Sequence, residues 1–349
     1  MIKIKGPAIF LAQFLSDEPP FNTIESISKW AADLGYTGVQ IPTWDGRAID
    51  LDKAASSKSY CDEYRGMLES NGVVPVDLGS YLQGQVLAFH PAYAEGFAAF
   101  HPDGLKGGQV TRWAEEQLKK SVDAAANLGV TNISVMSGGF LWHMIYPWPQ
   151  RPDGIVEEAF SELASRWKPI LDYADSKGVT FGYELHPGSD LYDGATYELF
   201  LEKTGDHPAA CLTYDPSHFL LQQLDYLDFI KRYGSRIRAF HVKDAEFNPD
   251  GRVGVYGGYQ PWTGRAGRFR SLGDGQVDFK RVFTLLTEAG FEGWAILEWE
   301  CCIKSAAQGA REGAPFIKDL LIDVTEKAFD DFAGGKTDTA KIRRMLGLS

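Results

Sequence analysis

The chain has 349 residues, 44% of them hydrophobic and 13% aromatic, which is enough apolar material for a large core. It carries 35 basic and 47 acidic side chains, a net charge of −12, and so acidic a chain repels a phosphate backbone, so we expect no nucleic-acid partner. No apolar stretch approaches the roughly 20 residues that a membrane span requires, so we expect no membrane association.

Short apolar runs alternate with amphipathic segments along the chain. The apolar runs, which predict strands, are 7–14, 37–42, 74–80, 131–138, 179–186, 209–215, 237–244 and 293–300. The amphipathic segments, which predict helices, are 23–35, 59–72, 110–129, 154–178, 195–205, 224–235, 278–290 and about 313–333. Strands that are apolar throughout are typical of a sheet with helices on both faces. Eight such strands, each followed by a helix, predict an α/β fold of the (β/α)8 TIM-barrel class.

Three connections are longer than the few residues that usually join such elements. They are 80–109, 138–153 and 244–277. Each follows a strand, so all three are predicted at the C-terminal face of the barrel, where active sites form. All three are rich in aromatic residues, which stack on sugar rings, and the last adds Arg265, Arg268 and Arg270, which suit carboxylate, phosphate or hydroxyl groups. We expect the last connection to be a lid or pocket wall, with Arg268 contacting a substrate larger than a triose or pentose.

The rest of the chain supports further expectations. We expect a single domain over residues 1–333 and a polar C-terminal tail over 334–349. The four cysteines have neither metal-binding nor disulfide spacing, which predicts reduced thiols in a cytoplasmic protein. The composition is compatible with a homo-oligomer, although no motif indicates one.

Four consecutive predicted strands each have an ionisable residue at or near their C-terminal end. These residues are Glu184, Asp215, His241 and Glu298. Buried unpaired carboxylates are costly and three converging ones repel each other, so the alternatives are a bound divalent cation or a barrel mouth in which each acid pairs with a lysine or arginine. Three carboxylates and one imidazole form an oxygen-rich site, which favours Mn²⁺ or Mg²⁺, with Mn²⁺ as our prediction and Co²⁺ or Zn²⁺ tolerated.

Further polar residues lie close to these strand ends. His186, Lys243 and Glu300 each lie two positions after a member of the set, and therefore on the same face of a strand, and His218 follows Asp215 by three residues. We expect them to contact the substrate or to support the metal ligands. Lys243 and Glu300 could instead form a structural ion pair.

Five segments carry a family resemblance. In chain order they are YELHPG, YDPSH, HVKDAE, SLGDGQVDF and GWAILEWE, over about 179–300. Together they resemble the xylose-isomerase-like TIM barrels of the sugar phosphate isomerase/epimerase group, which includes ketose 3-epimerases, inosose dehydratases and endonuclease IV proteins. The resemblance implies that the four strand-end residues bind a metal, that His218 and Lys243 meet the substrate, and that 273–275 forms the turn before a helix at Asp278.

A metal held by two glutamates has a use in catalysis. A keto-sugar bound through its carbonyl has an acidified neighbouring C–H bond, so Glu184 and Glu298 are the predicted catalytic bases. Return of the proton gives an epimer or an isomer, whereas loss of a neighbouring leaving group gives a lyase product. We expect a metal-dependent isomerase or epimerase of a keto-sugar. The alternatives are a lyase or dehydratase acting on a keto-sugar, keto-glycoside or inosose, and a metal-assisted sugar-binding subunit.

Overall fold

The computed structural model describes residues 3–325, 329 and 338–348. The strands of its main sheet are β1 Lys5–Phe10, β2 Gly38–Pro42, β3 Val74–Gly79, β4 Asn132–Val135, β5 Thr180–Glu184, β6 Ala210–Tyr214, β7 Ile237–Val242 and β10 Trp294–Leu297. They are parallel and close into a barrel in the order β1-β10-β7-β6-β5-β4-β3-β2. The predicted (β/α)8 barrel is therefore confirmed.

Most of the predicted strands extend beyond the observed C-terminal ends. β6 ends at Tyr214 and β10 ends at Leu297, so Asp215 and Glu298 lie just past the hydrogen-bonded ladder. The apolar pattern continues into these positions because the residues remain buried, but the backbone there already turns over the barrel mouth. Asp215 and Glu298 are thus held by backbone that is leaving a strand, whereas Glu184 and His241 lie within β5 and β7.

The part of the chain that the structure describes contains twelve α-helices. They are α1 Ile24–Asp33, α2 Leu51–Ser56, α3 Lys58–Ser70, α4 Tyr81–Gln85, α5 Gly108–Leu128, α6 Ile155–Ser176, α7 Gly194–Thr204, α8 Pro216–Gln222, α9 Tyr226–Tyr233, α10 Phe279–Glu288, α11 Ala306–Leu320 and α12 Thr339–Met345. α10 begins as predicted, because the Asp278 carboxylate accepts a hydrogen bond from the backbone N–H of Arg281. Among the described helices, none combines the length and the hydropathy that a membrane span requires.

The last predicted helix differs from the observed one. α11 begins at Ala306, earlier than the predicted 313, because the Ser305 hydroxyl accepts a hydrogen bond from Gln308 and caps the helix. It ends at Leu320, where the following residue is extended. The predicted helix beyond 325 lies outside the described residues except for 329, as do 334–337 and 349 of the predicted tail. The division into a domain and a tail stays a prediction.

The connection 244–277 contains a two-stranded ribbon that the sequence did not predict. Its strands are β8 Asp244–Phe247 and β9 Gly267–Arg270, which pair antiparallel with Glu246 opposite Arg268. The Asp244 carboxylate accepts hydrogen bonds from the backbone N–H groups of Ala245, Gly273, Gly275 and Val277. The ribbon therefore rises directly from the end of β7 and is anchored at its base.

Candidate metal centre

The four strand-end residues converge at the barrel mouth. Each of Glu184, Asp215, His241 and Glu298 offers one ligand atom, and these atoms lie within 4.8 Å of one another. All four side chains are buried. Neighbouring parallel strands end at the same edge of the barrel, which is why residues far apart in sequence meet here.

The carboxylates and the imidazole interact directly. His241 Nδ1 lies 3.0 Å from Glu298 Oε2, to which it is hydrogen bonded, and 3.2 Å from Glu184 Oε2. Burial lowers the pKa of His241, but the two glutamates outweigh this effect and hold it well above its usual value. Burial raises the pKa of Asp215 to about 7, although the Lys243 ammonium opposes the shift. The arrangement thus brings several ionisable groups, each affecting the charge of the others, into a small buried volume.

The chemistry of this cluster fits a divalent cation. Glu184 Oε2 and Asp215 Oδ2 are buried and have no hydrogen-bond partner among the described residues. Leaving a buried polar atom unsatisfied costs about 1–3 kcal/mol, and both atoms belong to the same cluster. Three carboxylates and one imidazole are ligands that hard divalent cations accept. These residues could therefore hold such an ion, and its identity stays a prediction.

Lys243 is the one lysine or arginine that contacts the cluster among the described residues. Its Nζ lies 3.2 Å from Glu298 Oε2, 3.2 Å from Glu300 Oε2 and 3.6 Å from Asp215 Oδ2. One ammonium thus serves three carboxylates, so the alternative in which each acid has its own cation does not describe this barrel mouth. Glu300 does form the ion pair with Lys243 that the sequence left open.

The two histidines near the cluster lie side by side. His218 Nε2 is 3.1 Å from Glu184 Oε1 and 3.3 Å from Lys243 Nζ, and its ring centroid is 4.3 Å from that of His186. Burial, together with the Lys243 charge, lowers the pKa of His218 to about 3, so this imidazole is neutral at physiological pH. Their predicted contacts with a substrate stay predictions.

Arg268 is engaged elsewhere. Its Nε lies 2.5 Å from Glu246 Oε1, and its guanidinium also donates a hydrogen bond to the Thr263 carbonyl oxygen at 2.7 Å. Arg270 binds the other oxygen of the same glutamate at 2.8 Å. Arg268 thus closes the ribbon, and its predicted contact with the substrate requires this pairing to change.

Two residues on neighbouring strands, which the sequence did not predict as part of the site, orient His241. Gln40 Oε1 lies 3.0 Å from His241 Nε2, while Gln40 Nε2 donates to Asp77 Oδ1 at 2.8 Å. Because the Gln40 amide nitrogen is committed to Asp77, its oxygen faces the imidazole, so we assign a proton to Nε2. Without a cation, the raised pKa keeps a second proton on Nδ1, which donates to Glu298, and loss of that proton would free Nδ1 to bind a cation. A polar residue inside an apolar strand was the available signal, as it was at Glu184.

A cavity of about 560 Å³ opens beside the cluster. His186 and His218 lie at its inner end, and its walls come from the aromatic connections 138–153 and 244–277. The wall residues include Trp142, Tyr146, Tyr256, Trp262, Arg265 and Phe269. A space of this size is typical of a small-molecule site.

Comparison with known proteins identifies the family. The xylose isomerase-like TIM barrel family matches residues 28–320. The chain is 31% identical over 145 residues to an inosose dehydratase of Geobacillus thermodenitrificans, covering 42% of this chain and 48% of the relative. It is 27% identical over 174 residues to an inosose dehydratase of Clostridium botulinum, covering 47% and 55%. The chain thus spans about half the length of the curated relatives it matches.

Solved structures show the same fold. A structure of L-ribulose 3-epimerase superposes with a TM-score of 0.59 at 16% identity, covering 100% of this chain and 99% of the other. A xylose isomerase-like TIM barrel protein from Mycobacterium smegmatis, in complex with magnesium, superposes with a TM-score of 0.62 at 15% identity, covering 92% and 96%. With a family match that spans most of its length and a closed parallel barrel, the chain belongs to the xylose isomerase-like TIM barrel family.

Proposed function

We propose that this protein is a metal-dependent lyase that removes water from a keto-sugar or keto-cyclitol. The single observation that carries the proposal is the buried Lys243 ammonium, which lies 3.2 Å from Glu298 Oε2 and 3.3 Å from His218 Nε2. Glu298 is the candidate base and Lys243 is the candidate acid, so the shorter contact joins the two groups directly. The names of the curated relatives, inosose dehydratases, support the same reaction class.

Each residue has a separate role in the proposed reaction. Glu184, Asp215, His241 and Glu298 would hold a divalent cation, which would polarise the carbonyl group of a bound substrate. Glu298 removes a proton from the carbon beside that carbonyl, and the electron pair enters the carbonyl to form an enolate. The C–O bond at the next carbon then breaks, Lys243 gives a proton to the departing hydroxyl, and water and an unsaturated ketone result. The 3.2 Å contact lets Glu298 return its proton to Lys243, so the acid and base are restored.

An epimerase is the second candidate. Glu184 and Glu298 come from β5 and from the end of β10, which are separated by β6 and β7 in the barrel order. Two bases that reach a substrate from different strands suit removal of a proton from one face and its return to the other. This arrangement keeps the isomerase or epimerase prediction open beside the lyase.

Solvent deuterium exchange separates the two reactions. Inososes and a panel of keto-sugars would be incubated in D₂O with Mn²⁺-loaded wild type, Glu184→Gln, Glu298→Gln and Lys243→Gln, and followed by NMR. For a lyase, Lys243→Gln should exchange the proton beside the carbonyl but lose elimination by about 10²–10⁴-fold, Glu298→Gln should lose both, and Glu184→Gln should keep exchange. For an epimerase, both glutamate variants should lose net epimerisation.

The matched control is Lys304→Gln. Lys304 also lies near the end of β10, but it pairs with Asp274 and Glu312 instead of with the cluster, so this variant should behave as wild type. Full elimination by metal-loaded Lys243→Gln would remove Lys243 as the acid. Binding without exchange on any of these compounds would favour the sugar-binding subunit.

A further inference from the structure

The cavity beside the cluster is continuous with it. The Phe269 ring centroid lies 4.4 Å from Lys243 Nζ and 5.3 Å from the His218 ring, and on its other side 4.9 Å from the Trp262 ring. Further out, Tyr146 and Tyr256 from the two aromatic connections meet edge to face at 6.2 Å. A molecule bound at the cluster can therefore extend along an aromatic wall.

The guanidinium of Arg265 lies in this wall and is packed on two sides. Its guanidinium carbon lies 5.2 Å from the centroid of Trp262. On the side of Gly257, a Cβ atom would fall 2.5 Å from that carbon, and Gly257 also has a φ of +70°, which favours glycine. The guanidinium thus lies against both an aromatic ring and a bare stretch of backbone.

Arg265 also lacks a counter-charge. Arg268 and Arg270 on the same connection share Glu246, whereas Arg265 makes no ion pair within the described ranges. Its Nε is buried and has no hydrogen-bond partner there. Arg265 lines the cavity, so its guanidinium is positioned to meet a bound molecule.

We propose that Arg265 binds a carboxylate on the part of the substrate that is remote from the reacting carbonyl. The guanidinium offers paired N–H donors that match a carboxylate, and the aromatic wall suits a ring between that group and the sugar. The substrate is then a two-part molecule, with a keto-polyol at the cluster and an acidic ring in the cavity. This inference names the substrate class of the site and rests on the proposed function.

The test compares phenyl glucosides that differ only in the substituent opposite the sugar. 4-Carboxyphenyl β-D-glucoside, its neutral 4-carbamoyl analogue and 4-(phosphonooxy)phenyl β-D-glucoside would be titrated calorimetrically into the Mn²⁺-loaded protein. Wild type should bind the carboxylate at least about tenfold more tightly than the carbamoyl analogue, in the range expected for a charge-assisted hydrogen bond. Arg265→Gln should bring the ratio close to one without weakening the neutral ligand, and Arg265→Lys should restore part of it.

Two further variants control the result. Gly257→Ala should displace the guanidinium and lower the ratio while Arg265 itself is retained. Arg252→Gln changes an exposed arginine of the same connection and should leave the ratio unchanged. Thermal unfolding checks that each variant is folded.

Each remaining outcome has a definite meaning. Equal affinities in wild type, or a charge preference that survives in Arg265→Gln, would overturn the proposal. Tightest binding of the phosphate ester would overturn the choice of a carboxylate. Because binding is measured without turnover, failure of the lyase proposal in the deuterium experiment would leave this preference intact, and the two failures are distinguishable.

Discussion

The orientation of His241 depends on side chains that do not belong to the cluster. Asp77 accepts hydrogen bonds from Gln40 Nε2 at 2.8 Å and from Asn132 Nδ2 at 2.6 Å, and Gln40 in turn meets His241 at 3.0 Å. All these groups are buried inside the barrel, where an unpaired polar atom is costly. A chain of three side chains therefore holds the imidazole in one orientation, with Nε2 directed at Gln40 and Nδ1 at the carboxylates.

Replacing Gln40 tests this relay. In Gln40→Leu the His241 Nε2–H loses its acceptor at 3.0 Å and keeps only the Tyr81 hydroxyl at 3.4 Å, so the ring is held less firmly and Mn²⁺ affinity should fall by about 10–100-fold. Calorimetry with Mn²⁺ measures the change. The matched control is Gln83→Leu, because Gln83 is equally buried but donates to Thr43. An equal loss of affinity in both variants would show that a general loss of stability, and not the relay, is responsible.

The ribbon depends on one carboxylate. Asp244 accepts four backbone N–H groups, from Ala245 and from the turn that precedes α10. Gly275 approaches so closely that a Cβ there would collide with the Asp244 side chain. The ribbon base and the turn are thus built around a single buried acid, and any wall that the ribbon provides for the cavity depends on it.

Removing this acid should loosen the ribbon. Asp244→Ala leaves those N–H groups without their acceptor, and we expect it to lower the free energy of unfolding by about 1–3 kcal/mol and to speed hydrogen exchange over 267–277. Denaturant unfolding and exchange mass spectrometry give the two values. Asp250→Ala is the control, since Asp250 also accepts two backbone N–H groups but is exposed at the ribbon tip. Unchanged exchange over 267–277 in Asp244→Ala would contradict this account.

The elements differ in how well the sequence predicted them. The barrel strands are continuous apolar runs, so the pattern of apolar residues along the sequence predicts them. The ribbon has no such signal, because β8 contains Asp244 and Glu246 and these acids are satisfied by partners more than twenty residues away. The same distance effect explains Arg268: pairing with Glu246 follows from the β8–β9 register, which the sequence does not show. Arg265, three residues before Arg268, lies outside β9 and lines the cavity.

The sequence predicted the members of the cluster but not the side chains that support them. Its four acidic and histidine residues stand out because charge at the end of an apolar strand needs an explanation, and the barrel brings those ends together. Gln40 and Asp77 carry the same signal on β2 and β3, but their hydrogen bonds cross the barrel interior and connect residues as far apart as Gln40 and His241. Which buried polar group meets which is a matter of three-dimensional packing, and a linear pattern does not contain it.

For the molecule as a whole, repulsion between the buried carboxylates lowers the stability of the native state, and a bound cation would offset that loss. Three carboxylates share one buried site, and Lys243 and His241 offset their charge only in part. A ligand that binds the native state alone stabilises it by about 2.7 kcal/mol at a hundredfold excess over its Kd. The melting temperature of the whole barrel therefore reports on this one site.

Adding Mn²⁺ to chelator-treated wild type should thus raise Tm by several degrees, and Asp215→Asn should abolish that response. This substitution removes one of the repelling charges but keeps an oxygen that can accept the N–H of Ser217, as Asp215 does at 2.8 Å at the start of α8. We therefore expect metal-free Asp215→Asn to be at least as stable as metal-free wild type, which separates loss of the ion from damage to the fold. Scanning calorimetry with and without Mn²⁺ gives all four melting temperatures. An equal rise in Tm for both proteins would place the stabilising ion outside this cluster.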